Sequence, residues 1–244
     1  MQWFKTVGAA SALLMSSFVF AQASSPVGEW EMEAHDEDKD IKVYTRSVGD
    51  SPLKEFKGVT HINAPVEAFV ALLRDPDVAT SWMHDVVEFK VMESPSETEN
   101  LVYTINKTPW PVTDRDAYIL SEMSADEQGV VTTTLTAQPS YQPENEDYIR
   151  MPALSGHWKF SPQENGVVEV EYQVHANPGG SLPNWLVNAI VVDTPLNTLS
   201  NLRDIIQDEK YQNQSFAFIE AAKSSAQAET VDQVAIDVAS EVAQ

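Results

Sequence analysis

The segment from Ala176 to Lys210, ANPGGSLPNWLVNAIVVDTPLNTLSNLRDIIQDEK, restricts the possible folds more than any other. Gly179-Gly180 supply a sharp turn, Ser181 is placed to cap, and Pro183 suits a helix start. The pattern then predicts one long helix running to about Glu209, bent at Pro195. At ~1.5 Å per residue it reaches ~40 Å, enough to cross a whole sheet. Its first half carries Trp185, Leu186, Val187, Ile190, Val191 and Val192. A helix this apolar has to be covered by something broad.

The strands before it supply the cover. In GVVEVEYQVH, Val168, Val170, Tyr172 and Val174 share one face, and Glu169, Glu171 and Gln173 share the other. Such alternation marks an antiparallel sheet with one buried and one wet face. SGHWKFSP precedes it, and the two form a hairpin around Glu164-Asn165-Gly166. Upstream, VVEFKVM, NLVYTINK, DAYILSEM and VVTTTLTAQ read as short strands separated by turn residues. Near the start, Ile41, Val43 and Thr45 lie on one strand face, LKEFKGVTHI is a second strand, and NAPVEAFVALLRD is a helix capped by Asn63 with Pro65 in its first turn. The predicted class is α+β: a curved antiparallel sheet wrapped around a long C-terminal helix.

The ends differ in character. Residues 1–23 combine Lys5, an apolar run from about Val7 to Phe20, and Ala21-Gln22-Ala23. This is the pattern of a secretory signal peptide cut after Ala23, and the run is shorter than the ~20 residues of a spanning helix. It predicts export to the periplasm or the medium. There is no cysteine, so the exported domain, placed at residues 24–212, relies on its core rather than on disulfides. From about residue 213 to 244 the chain reads as an acidic tail or weak amphipathic helix outside that domain. Fifteen Lys+Arg stand against 37 Asp+Glu, a net charge of −22. Such a surface excludes nucleic acid as a partner and disfavours purely electrostatic docking on anionic lipid.

Several blocks of the chain fall in a familiar order. Ile41-Lys42-Val43-Tyr44-Thr45-Arg46 is followed by Leu53 to Gly58 and by the Asp75 to Trp82 segment. Tyr103 precedes Pro109-Trp110-Pro111 and Arg115-Asp116; Gly156-His157-Trp158, Asn177 to Pro183 and Trp185 to Asn188 complete the series. From about Trp30 to Arg203 the chain resembles the START domain family, lipid-binding modules of the helix-grip (Bet v 1-like) superfamily. The two prolines hold the linker extended, so Trp110 is expected to lie across apolar surface at little entropic cost. Arg115 and Asp116 open the next strand and are expected to tie it to neighbouring loops, an architectural role.

The resemblance implies an apolar tunnel for one lipid-like molecule. The lining candidates are Met83, Tyr103, Ile105, Ile119, Leu135, Trp158, Tyr172, Leu186, Asn188 and Ile190. Motion around Asn177 to Trp185 would open it, and the resemblance leaves room for transient contact with a membrane. Sterol-binding relatives carry an inward acid and base near the proline block; the comparable Leu101 to Thr104 and Leu120 to Glu122 offer no equivalents, which leaves the kind of apolar ligand open. No cofactor and no metal are implied: Asp36, Asp38 and Asp40 imitate a calcium loop, but Ile41 and Ser47 stand where Gly and Glu are needed. The five histidines lack metal-ligand spacing. Ser51-Pro52-Leu53-Lys54 enters a strand instead of a helix, and no Gly-x-Ser-x-Gly occurs. His157 and Glu171 are expected as an outer-face pair. The expected function is carriage or sensing of one hydrophobic molecule, not catalysis. The alternatives are a cyclase- or hydrolase-like enzyme using Glu122 as base, and a module without a cavity.

Overall fold

The computed structural model describes residues 27–225 except 50 and 52. The expected signal segment and the last part of the expected tail lie outside the described residues. Ten strands form one sheet: β1 (Glu31–Asp36), β2 (Ile41–Arg46), β3 (Glu55–Asn63), β4 (Val86–Glu93), β5 (Glu99–Asn106), β6 (Arg115–Ala125), β7 (Val131–Ala137), β8 (Ile149–Arg150), β9 (Ala153–Pro162) and β10 (Val167–Asn177). Their order is β1-β2-β3-β10-β9-β7-β6-β5-β4, all antiparallel, with the short β8 pairing parallel to β6. The helices are α1 (Val66–Leu73), α2 (Ala79–Trp82), α3 (Asn184–Ile205) and α4 (Glu209–Gln212). This is the helix-grip α+β architecture that the alternation and the long helix predict.

The hairpin joining β9 to β10 turns at Asn165 (φ 61°) and Gly166 (φ 75°), left-handed positions that Asn and Gly accept. It sets Val168, Val170 and Val174 on the buried face. Across the sheet, Ile41, Val43, Ile62, Phe160 and Val131 join them, and α1 adds Phe69, Val70 and Leu72. Phe69 stacks on Phe160 at 5.0 Å between ring centroids.

The helix ends differ from the sequence reading. Neither α1 nor α3 has a side-chain cap: Pro65 and Pro183 occupy the cap positions in extended conformation, so Asn63 and Ser181 do not serve. A proline there fixes φ and loses no bond, since its missing N–H would be unpaired in any case. The long helix stops at Ile205. A short α4 follows, capped by Asp208, which accepts from the Lys210 N–H at 3.1 Å.

The chain after α4 also departs from the expected tail. Residues 217–225 are helical; Ile219 is fully buried, and Phe216 and Phe218 pack against the core. Lys223 reaches Glu67 of α1 at 3.1 Å. Asp75, just after α1, accepts from Lys210 at 2.8 Å and from the Tyr211 hydroxyl at 2.9 Å. The packed unit therefore continues past residue 212. The apolar trio Phe216, Phe218 and Ile219 was the signal for it.

Candidate functional site

Under the first half and the middle of α3 the inner face of the sheet does not meet the helix. A hollow of about 320 Å³ remains there. Its walls come from β5 (Val102, Thr104, Asn106), β6 (Ile119, Ser121, Met123), β7 (Thr133, Leu135) and β9–β10 (Leu154, Trp158, Tyr172, Val174). Met83, His84 and the α3 residues Thr194 and Thr198 close the other side. A second lobe of about 140 Å³ adjoins it under Leu182, Val187, Ile190 and Val191. His84, Asn106, Met151, Leu154, Tyr172, Val174 and Thr194 border both lobes.

An aromatic floor separates this hollow from the solid core. The Trp158 and Tyr172 rings stack at 4.0 Å with 6° between planes. Trp82 meets Trp158 edge-on at 5.7 Å, and Phe56 meets Tyr172 edge-on at 5.2 Å. Burial alone pushes the Tyr172 phenol well above its ordinary range, so it stays neutral. One buried polar group on the wall is left over: Thr133 Oγ1 has no hydrogen-bond partner among the described residues. An unpaired buried hydroxyl in a hollow is a group that a ligand atom or a water can satisfy.

Of the ten residues expected to line a tunnel, Met83, Ile119, Leu135, Trp158 and Tyr172 border the larger lobe, and Ile190 borders the smaller. The other four lie elsewhere. Tyr103 and Ile105 are on the opposite face of β5, where Tyr103 packs on Tyr118 at 4.8 Å; burial and the Asp116 carboxylate push its phenol far above the usual value. Leu186 is buried but is not on either wall. Asn188 is exposed, because α3 presents Val187, Ile190, Val191 and Thr194 inward and turns Asn188 to water. Residues that the sequence reading missed include Val102, Thr133, Leu154, Val187 and Thr194. Strand phase was the available signal: Val102, Thr104 and Asn106 share one face of β5.

The proline block joins the hollow to its surroundings. Thr108 N–H donates to Asp114 Oδ1 at 2.8 Å, and its hydroxyl reaches the Val112 and Thr113 carbonyls at 2.9 and 2.8 Å. Pro109-Trp110-Pro111 is thereby held as a turn, with the Trp110–Pro111 bond cis. Trp110 does not lie on apolar surface; it is 92% exposed. Asp116 takes Arg150 in a bidentate pair, Nε at 3.0 Å and Nη2 at 2.9 Å, and Arg150 also donates to the carbonyls of Pro139 and Gln142. Arg115 donates to the carbonyls of Thr113, Pro178 and Gly179. Both side chains tie β6 to neighbouring loops.

The pattern that defines the START domain family matches residues 18–210. This chain belongs to the START domain family. It is 42% identical over 193 residues to an uncharacterized protein of Pseudomonas aeruginosa, covering 78% of this chain and 93% of that one. It superposes on the crystal structure of a STAR-related lipid transfer protein fragment from Xanthomonas axonopodis with TM-score 0.68 and 37% identity, covering 73% of this chain and 99% of that one. Human StAR-related lipid transfer protein 5 shares the fold at TM-score 0.66 and 15% identity, over 73% of this chain and 86% of that one.

Within this START domain, the groups suited to acid–base chemistry are few. Among the described residues, the larger lobe is bordered by one imidazole, His84, and by no carboxylate. Glu122, the base of the alternative enzyme reading, is exposed and sits on the outer face. His157 and Glu171 pair there too, Nε2 to Oε1 at 2.8 Å; this contact, followed by the Lys57 charge, holds the Glu171 carboxyl below its usual range.

Proposed function

We propose that this START domain is an exported carrier or sensor that holds one hydrophobic molecule, a lipid, in the hollow beneath α3. The observation that carries the reading is the pair of adjoining hollows, walled by Val102, Ile119, Met123, Leu135, Val174 and Ile190. Its larger lobe alone, about 320 Å³, lies within the ~300–1,000 Å³ span of small-molecule sites. The driving force is removal of hydrocarbon from water, ~0.8 kcal/mol per methylene. The lipid-transfer name of the Xanthomonas relative supports the ligand class. Placement in the periplasm or medium rests on the signal pattern of residues 1–23.

Loading needs a route past α3. Trp185 in its first turn is 60% exposed and Trp110 92% exposed. Each adjoins elements that border the smaller lobe, Thr108 on one side and Leu182 and Val187 on the other. Tryptophan favours the membrane–water interface, so the pair is suited to brief contact while Asn177 to Trp185 moves aside. The test is capture of a fluorescent acyl lipid from neutral vesicles. Wild type should extract it in proportion to protein; Ile119→Trp or Leu135→Trp should reduce capture while the folded CD spectrum is retained. Full capture by both variants would show that the lipid goes elsewhere.

A further inference from the structure

The smaller lobe contains a buried charge that has no ion pair among the described residues. Arg115 is 1% exposed and borders that lobe. Its three hydrogen bonds all go to carbonyls, and those to Pro178 and Gly179 are long, 3.4 and 3.5 Å. The neighbouring acids are engaged: Asp114 by Thr108 and Asp116 by Arg150. Among the described residues no carboxylate forms an ion pair with Arg115. A guanidinium offers five N–H donors, so two remain. Carbonyl dipoles do not cancel a full buried charge, and burial lowers its proton affinity more than the nearby Asp114 charge raises it. The lobe also gathers Lys107 and Lys54 against one carboxylate, Asp85, in a chain with 15 basic and 37 acidic residues. Lys54 is already held by Glu33 at 3.0 Å.

We infer that the smaller lobe is an anionic headgroup site, in which Arg115, assisted by Lys107, takes the carboxylate or phosphate of an amphiphile whose apolar chain runs into the larger lobe. This rests on the lipid-carrier reading and specifies its ligand class. The smaller lobe is bordered by three cationic side chains; the larger has one, Arg74, already paired with Glu97 at 3.6 Å, and offers Val102, Ile119, Met123 and Leu135 to the chain. A fork of donors in a water-poor pocket binds an oxyanion strongly.

The experiment compares palmitate with hexadecanol, equal in chain and different in charge, by calorimetry on the chain from Ser24 onward, with inorganic phosphate as a third probe. Palmitate should bind about tenfold or more tightly than hexadecanol, the size of one or two charge-assisted hydrogen bonds. The ratio should fall toward one in Arg115→Met and by about threefold in Lys107→Met, where the exposed lysine tests the charge without disturbing the loop. Equal affinity of wild type for the two probes would overturn the headgroup site while leaving the carrier reading standing. Binding of neither would overturn both. Phosphate binding as tightly as palmitate would show a free-anion site and overturn the headgroup assignment.

Discussion

The two halves of α3 meet the same sheet with opposite results. In the C-terminal half, Leu199 and Leu202 are almost fully buried, as is Ile206 just past the helix end. Gly58 on β3 makes this possible: a Cβ there would stand 2.7 Å from Leu199 Cδ1 and 3.0 Å from Pro195 Cβ. The helix lies directly on the strand, and the core is solid. In the N-terminal half, Trp185 faces water and Val187, Ile190 and Val191 border empty space. There the sheet presents Tyr172 and Val174 opposite the helix, with Met151 and Leu154 alongside. Apolar content does not decide whether a helix seals a core or roofs a cavity. The size of what faces it does.

The contrast can be broken from either side. Leu199→Ala should cost about 2–5 kcal/mol in urea unfolding, because it empties a closed site. Ile190→Ala should cost about 1 kcal/mol or less, since its side chain already borders a void. Equal losses would mean the two halves are packed alike. Gly58→Val should cost about 1–3 kcal/mol by lifting α3 off β3, read as a lower midpoint at unchanged m. Leu135→Trp sharpens the comparison: it should change stability by less than about 1.5 kcal/mol and yet remove most lipid capture.

The smallest effect is on the outer face. Glu171 has its carboxyl held below the usual value of 4.5 by His157 and Lys57. Its folded-state pKa is depressed, so its contribution is present above 4.5 and lost as pH falls below it. Glu171→Gln should lose ~0.2–1 kcal/mol near neutral pH and show a shallower decline in acid. A decline as steep as wild type's would assign the acid limb to other groups, with Asp75, also lowered by Lys210 and Tyr211, the next to test.

The architecture was legible where one face is wet. On β10 the alternation of valine with glutamate is clean, and Tyr172 fell on the correct face. On β5 it fails, because both faces are covered. Leu101 and Ile105 are buried, Tyr103 packs on Tyr118, and Val102 faces the hollow. With no polar face to fix the phase, Tyr103 and Ile105 read as inward when their neighbours are. Asn188 was misplaced because it has an apolar neighbour on each side, and helical phase within one turn is settled only by packing. The hollow itself leaves no mark in sequence, since the valines and isoleucines that line it would serve equally well in a filled core. Trp110 shows the converse: a large apolar ring that sequence assigns to apolar surface stands in water.

Native mass spectrometry of the chain from Ser24 onward, exported and purified without detergent, tests the ligand site most directly, with solvent extraction of the same sample. A hollow that serves as a lipid site predicts one added mass per protein, recovered in the organic phase as a lipid and lost in Leu135→Trp. An apo mass that persists after incubation with vesicles of mixed lipids, with Leu135→Trp indistinguishable from wild type, would contradict it.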